Sequence, residues 1–166
     1  MANSLFERWH GGLWAGAIGG AIAQANGMAE SPSESLTEPL TDMARVQDLI
    51  LSDILRDRIS DAELDAELDG DEALALDVAL EAMRRSAGDW TVAFPWATGR
   101  SPNPWLTGIW LGTLLGINGG SRSIPIELRV AHRDLGIQLR SIAEARVRSY
   151  SGISARVLPL LMPRHQ

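Results

Sequence analysis

Apolar residues recur along most of this chain three and four positions apart, the period of an α-helix. The first stretch opens at Ser4, which with Glu7 forms a capping box, and it predicts a helix to about Asn26. Gly27, Pro32, Pro39 and three serines make residues 27–40 a loop. Thr41 then caps a second helix with Met43, Val46, Ile50 and Ile54 on one face. Ser60 and Glu63 form another capping box, and Gly70 followed by Asp71 reads as a stop and a new start. Leu76, Ala79, Leu80 and Met83 form the next stripe, closed by Gly88. Residues 89–104 hold three prolines and a glycine, and they predict irregular chain with a short extended piece at 91–94. A further apolar helix is predicted at 104–117 and a loop at 118–123, then helices from about 125 to 150 with a break at Gly136. No alternating strand pattern occurs. The fold class is therefore all-α, a compact helical domain over residues 1–166 with a short tail from 151.

Two of these helices share an unusual design. Gly12, Gly16 and Gly20 stand four apart in the first, and Gly108, Gly112 and Gly116 four apart in the later one. Residues four apart line one helix face. Each glycine there costs ~1 kcal/mol of helix propensity relative to alanine, so close packing of backbone on backbone must offset the loss. Both helices are expected in the middle of the domain, packed on other helices or on each other.

Six tryptophans supply most of the aromatic surface: Trp9, Trp14, Trp90, Trp96, Trp105 and Trp110. Trp105 and Trp110 are five apart, as are Trp9 and Trp14, so the members of each pair point in different directions on a helix. One of each pair is expected in the core and the other at a groove or partner.

Charge and composition narrow the function. The net charge is −6, which disfavours nucleic acid as a partner. All 15 basic residues are arginine. From Glu30 to Glu81 there are 16 acidic residues against 3 arginines, whereas from Arg122 onward there are 8 arginines against 3 acidic residues. The two regions are complementary, within one molecule or between copies. Arg129, Arg133 and Arg140 share one face if the helix continues through Gly136, and they would dock on acidic protein surface such as the 61–69 stretch of another copy. Without cysteine, thiolate metal sites and cysteine nucleophiles are impossible. The apolar runs 11–25 and 105–117 are shorter than the ~20 residues that span a bilayer, so no membrane insertion and a cytoplasmic location are expected.

The glycine pattern is where a family resemblance appears. Gly12-Leu-Trp-Ala-Gly16-Ala-Ile-Gly-Gly20-Ala-Ile-Ala resembles the opening helix of the ADP-ribosylglycohydrolase family, which reads Gly-x-x-x-Gly-x-x-x-Gly-Asp-Ala. Gly108-Ile-Trp-Leu-Gly112-Thr-Leu-Leu-Gly116, followed by Ile124-Pro125, resembles the family's closing helix and its Ile-Pro turn. The resemblance implies an all-α scaffold, here shortened, and two magnesium ions held by a Thr-Asp-Asp-Thr type motif and an Asp-Thr-Asp-Thr type motif.

Thr41-Asp42-Met43-Ala44 keeps only the first two residues of the first motif, and the second falls near Gly99-Arg100-Ser101-Pro102. Ala21 stands where the family has aspartate, and no acidic residue occurs from Thr91 through Ser123. Magnesium needs carboxylate oxygens, so the remnant pair Thr41 and Asp42 cannot hold two ions and Arg100 would repel them. No metal and no cofactor are expected. The implied protein is a non-catalytic scaffold, assembly or regulatory subunit that binds another protein or a second copy. Arg100, Arg122, Arg129, Arg133, Arg140, Trp105 and Trp110 are its candidate contact residues. The alternative is residual ADP-ribosyl hydrolysis or ADP-ribose binding, with Thr41 and Asp42 on the metal side and Arg100 or Arg122 on phosphate.

Other motifs carry less. Asp65-x-Glu67-x-Asp69-Gly70 lacks the twelfth-position glutamate of a calcium loop, which would be Leu76. His10, His132 and His165 have no ligand spacing. The turn Gly119-Gly120-Ser121-Arg122 offers backbone N–H groups to an anion.

Overall fold

The computed structural model describes residues 4–25 and 70–150. The predicted loop at 27–40, the Thr41 helix, the Ser60 capping box, the acidic turn at 65–69, Thr41 and Asp42, and the tail from 151 lie outside the described residues. Within them the chain is all-α with no strand. It forms helices α1 (Leu5–Ala25), α2 (Gly70–Ser86), α3 (Trp90–Thr98), α4 (Pro104–Gly119), α5 (Ile126–Ala131) and α6 (Arg133–Tyr150), with a 3-10 turn at Ser121–Ser123. No described helix is long and apolar enough to cross a membrane.

The centre of the structure is α4. Asn103 caps it by accepting from the Leu106 amide at 3.2 Å, and Pro104 takes the first turn, where its missing N–H costs nothing. Every residue from Thr107 to Ile117 is buried, as expected for a helix that is apolar all round. Helix α1 runs antiparallel along it. Gly19 lies on Gly108, Ala15 on Gly112 and Gly11 on Gly116. A methyl group at Gly112 would run into the Ala15 carbonyl, and one at Gly116 into the Gly11 carbonyl. At Gly108 it would sit 2.6 Å from the Gly19 oxygen. In glycine an Hα takes that direction instead and points at the oxygen, a weak Cα–H···O contact.

The two glycine helices therefore pack on each other, but the contacting row on α1 is Gly11, Ala15, Gly19 and Ala23. The row Gly12, Gly16 and Gly20 sits one position to the side, with Gly20 against Ile109 and Trp105. Adjacent rows of α1 are both small, so glycine spacing alone could not choose between them.

The other helices close around this pair. Helix α2 lays Ala75, Leu76, Ala79 and Ala82 on the core, while Leu80 and Met83 of the predicted stripe are half-buried at its edge. Asp71 and Glu72 in its first turn and Arg84 and Arg85 in its last oppose the helix dipole. Ala87 and Gly88 turn the chain with positive φ angles.

The irregular segment predicted at 89–104 is corrected here, because most of it is α3. Asp89 caps that helix, accepting from the Thr91 amide at 2.9 Å and the Thr91 hydroxyl at 2.7 Å. Trp90, Ala93, Phe94, Ala97 and Thr98 form its buried face. Pro95 lies in the exposed part of the helix, where a missing ladder bond is open to water. The predicted break at Gly136 is also corrected. The interruption falls at His132, between α5 and α6, and Gly136 is buried inside α6.

Substitutions along the glycine seam follow directly. Gly112→Ala is expected to destabilise the protein by about 1–3 kcal/mol despite alanine's better helix propensity, because it overpacks against backbone. Gly70→Ala, with nothing among the described residues within 4 Å of the added methyl, is expected to be neutral or stabilising by up to ~1 kcal/mol. Thermal unfolding of both variants checks this, and an unshifted Gly112→Ala would contradict the seam.

Asp89 gives a pH signature. The Thr91 hydroxyl first, and the Thr91 amide second, hold its carboxyl below the ordinary 3.8. A depressed pKa stabilises the fold above the unfolded value, and that stability is lost as pH falls through the folded one. Thr91→Val is therefore expected to lower Tm at neutral pH, with the difference from wild type shrinking as pH drops below 3.8.

Candidate functional site

The predicted arginine face spans two helices. Arg129 belongs to α5, on the far side of the His132 interruption from Arg133 and Arg140 on α6. Its Nε is buried without a hydrogen-bond partner. Arg133 is exposed on the first residue of α6. Arg140 pairs with Glu144 at 3.2 Å and lies over the Phe6 ring, 5.4 Å from its centroid. The three arginines therefore do not lie on one continuous helix, because the interruption at His132 falls between Arg129 and the other two.

The turn that offered N–H groups to an anion is not a ready anion site either. Ser121 donates its hydroxyl to the Glu7 carboxylate at 2.9 Å, which places a negative charge there. The same bond shows that the first capping box is half made. The Glu7 amide donates to Ser4 Oγ at 3.2 Å, and the Glu7 carboxylate reaches across to the turn. Arg122, beside it, is exposed. Ser123 ties the turn to α4 by donating to the Leu115 and Gly120 carbonyls.

Each tryptophan pair splits as its spacing implied, with Trp9 and Trp110 buried and Trp14 and Trp105 half-buried. The indole N–H groups of Trp9, Trp90 and Trp110 have no hydrogen-bond partner among the described residues. Buried donors of this kind cost ~1–3 kcal/mol each, so large apolar burial is what keeps these rings inside. Trp105 packs beside Gly20.

Trp14 packs within the chain. It belongs to a column that the tryptophan spacing alone did not reveal: Phe6, His10 and Trp14, one helical turn apart and stacked at 5.5 and 5.6 Å between centroids. Their four-residue spacing was the available signal. This column holds α6 onto α1. Trp14 Nε1 donates to the His132 carbonyl at 3.1 Å, and His10 Nε2 donates to the Gly136 carbonyl at 2.8 Å. Gly136 has no side chain because the Trp14 ring fills that space, 2.5 Å from where a Cβ would lie.

A second cluster was hidden because its helix was not predicted. On α3, Trp96 is half-buried, and Arg100 lies over its ring with Cζ 4.4 Å from the centroid. Arg85 of α2 approaches the same ring at 5.3 Å. Arg100 also donates to the Trp96 carbonyl at 3.2 Å. Ser101, in the stretch where the resemblance puts the second metal motif, is hydrogen-bonded to Thr107 at 2.5 Å. No group of three His, Asp or Glu side chains gathers among the described residues.

The Trp14–Gly136 contact is testable as a coupled pair. Gly136→Ala is expected to cost about 1–3 kcal/mol, and combining it with Trp14→Leu is expected to recover part of that loss. A coupling energy of about 0.5–3 kcal/mol from denaturant unfolding of the four chains supports the contact, and strict additivity contradicts it. In comparison with known proteins, no family model, no curated protein and no solved structure matches this chain.

Proposed function

We propose that the chain is a non-catalytic protein-binding subunit, a scaffold, assembly or regulatory component on a shortened ADP-ribosylglycohydrolase-like scaffold. The observation that carries this reading is the outer face of α5. Ile126 and Val130, one turn apart, are 58% and 70% exposed, and no residue of α5 is buried. Ile137 near the start of α6 is 61% exposed. Single exposed apolar residues are ordinary, whereas neighbouring ones on the outer side of a short helix whose half-buried Leu128 packs on the core suit an interface. Covering one branched side chain of this size contributes ~1.5–3 kcal/mol, so two or three of them make a useful contact. The partner is another protein or a second copy.

The non-catalytic half of the reading rests on chemistry at the expected metal positions. Residues 91–123 carry no carboxylate, and the 99–102 stretch presents Arg100 stacked on Trp96. A two-ion hydrolytic centre needs anionic oxygen donors on both sides. The paired glycine helices support the scaffold half, since both fold into one antiparallel seam.

Size-exclusion chromatography with light scattering tests the reading over a wide concentration range. The wild type is expected to associate, and Ile126→Glu with Val130→Glu to reduce that association while leaving the helical circular dichroism unchanged. A wild type that stays monomeric and brings no protein with it through purification contradicts the reading.

A further inference from the structure

The Trp96 cluster has an excess of positive charge in an acidic chain. Arg84 and Arg85 share one carboxylate, Glu81, at 2.9 and 2.7 Å. Arg100 makes no ion pair among the described residues. The two guanidiniums over the Trp96 ring lie within a Debye length of about 10 Å of each other, so each raises the positive potential at the other. Stacking on one indole fixes both, and the donors of Arg100 not used on the Trp96 carbonyl face water. Beside them Val92, one turn earlier on α3, is 51% exposed, and Pro95 is exposed as well. The result is a small apolar step beside the Arg100 fork, with Arg85, held by Glu81, adding positive potential next to it.

A ligand for this surface needs carboxylates spaced by small apolar residues. The chain carries one such stretch, Asp61-Ala62-Glu63-Leu64-Asp65-Ala66-Glu67-Leu68-Asp69, in which acidic and apolar residues alternate without exception. We propose that Trp96, Arg85 and Arg100 form a docking site for this acidic stretch of a second copy. The Arg100 fork holds a carboxylate, Arg85 adds positive potential beside it, and Val92, Pro95 and the exposed part of Trp96 pack on the aliphatic stems of the acidic side chains. Arg100 is the discriminating residue, because Arg85 is already paired. The proposal deepens the protein-binding reading but uses a face separate from α5.

A charge-swap experiment tests it by light scattering. Arg100→Glu alone, and Glu63→Lys with Glu67→Lys alone, are each expected to raise the dimer dissociation constant about tenfold at low ionic strength. At 1 M salt, where the screening length is about 3 Å, the difference from wild type is expected to shrink below about twofold. Mixing the two variant chains restores both contacts in the heterodimer, so association is expected to return to the wild-type level. Such rescue also excludes misfolding as the cause of the single-variant losses.

Arg100→Glu that associates like wild type, or a mixture that stays monomeric, overturns the proposal. So does a wild type that remains monomeric, even if a synthetic 61–69 peptide binds it. Retained association in Arg100→Glu together with loss in the α5 variant overturns this proposal alone and leaves the protein-binding reading standing.

Discussion

Backbone meets backbone along the α1–α4 seam, and the rest of the described structure depends on that approach. Three glycines of α4 put hydrogen where any other residue has carbon, and each hydrogen points at a carbonyl or backbone atom of α1. Glycine inside a helix costs ~1 kcal/mol apiece. The offset is the dispersion and weak hydrogen bonding of two helices in direct contact, together with burial of α4 from Thr107 to Ile117. Nothing bulky fits in the seam, so the large side chains lie to its sides. Trp9 and Trp110 are buried beside it, and Trp90 with Phe94 comes in from α3.

The second junction repeats the first by other means. Helix α6 reaches α1 because Gly136 leaves room for the Trp14 ring, and two side-chain donors, Trp14 Nε1 and His10 Nε2, pin the backbone around it. In both places a helix gives up a side chain so that a neighbour can come close. The short α5 follows the 3-10 turn and ends at His132 before α6 begins; its Leu128 packs against the core while Ile126 and Val130 stay exposed.

Much of this was legible in the amino-acid order, and the failures have physical causes. Six glycines at four-residue spacing announced the seam, but on α1 three of the four contacting residues have a glycine one position along. Gly11 precedes Gly12, Ala15 precedes Gly16 and Gly19 precedes Gly20, so the register was undecided until α4 was placed against it. Helix α3 was missed because three prolines outweighed the regular spacing of Trp90, Ala93, Phe94 and Ala97. Pro95 is tolerated because it sits on the wet side. Gly136 looked like a helix breaker, although its reason for being glycine is the Trp14 ring, 122 positions away in the chain. The arginines of the last helices were visible as charge. Which of them is paired, stacked or separated by a helix break is a tertiary property, as Arg140 on Glu144 and Arg100 on Trp96 illustrate.

The most direct measurement of the central claim is the set of nuclear Overhauser effects between the two glycine helices in a labelled sample. The account predicts cross-peaks that link Gly108 Hα with the Ala23 methyl, Gly112 Hα with Gly16 Hα and Gly116 Hα with the Ala15 methyl, in antiparallel order. Absence of these contacts, or a set in parallel order, would contradict it.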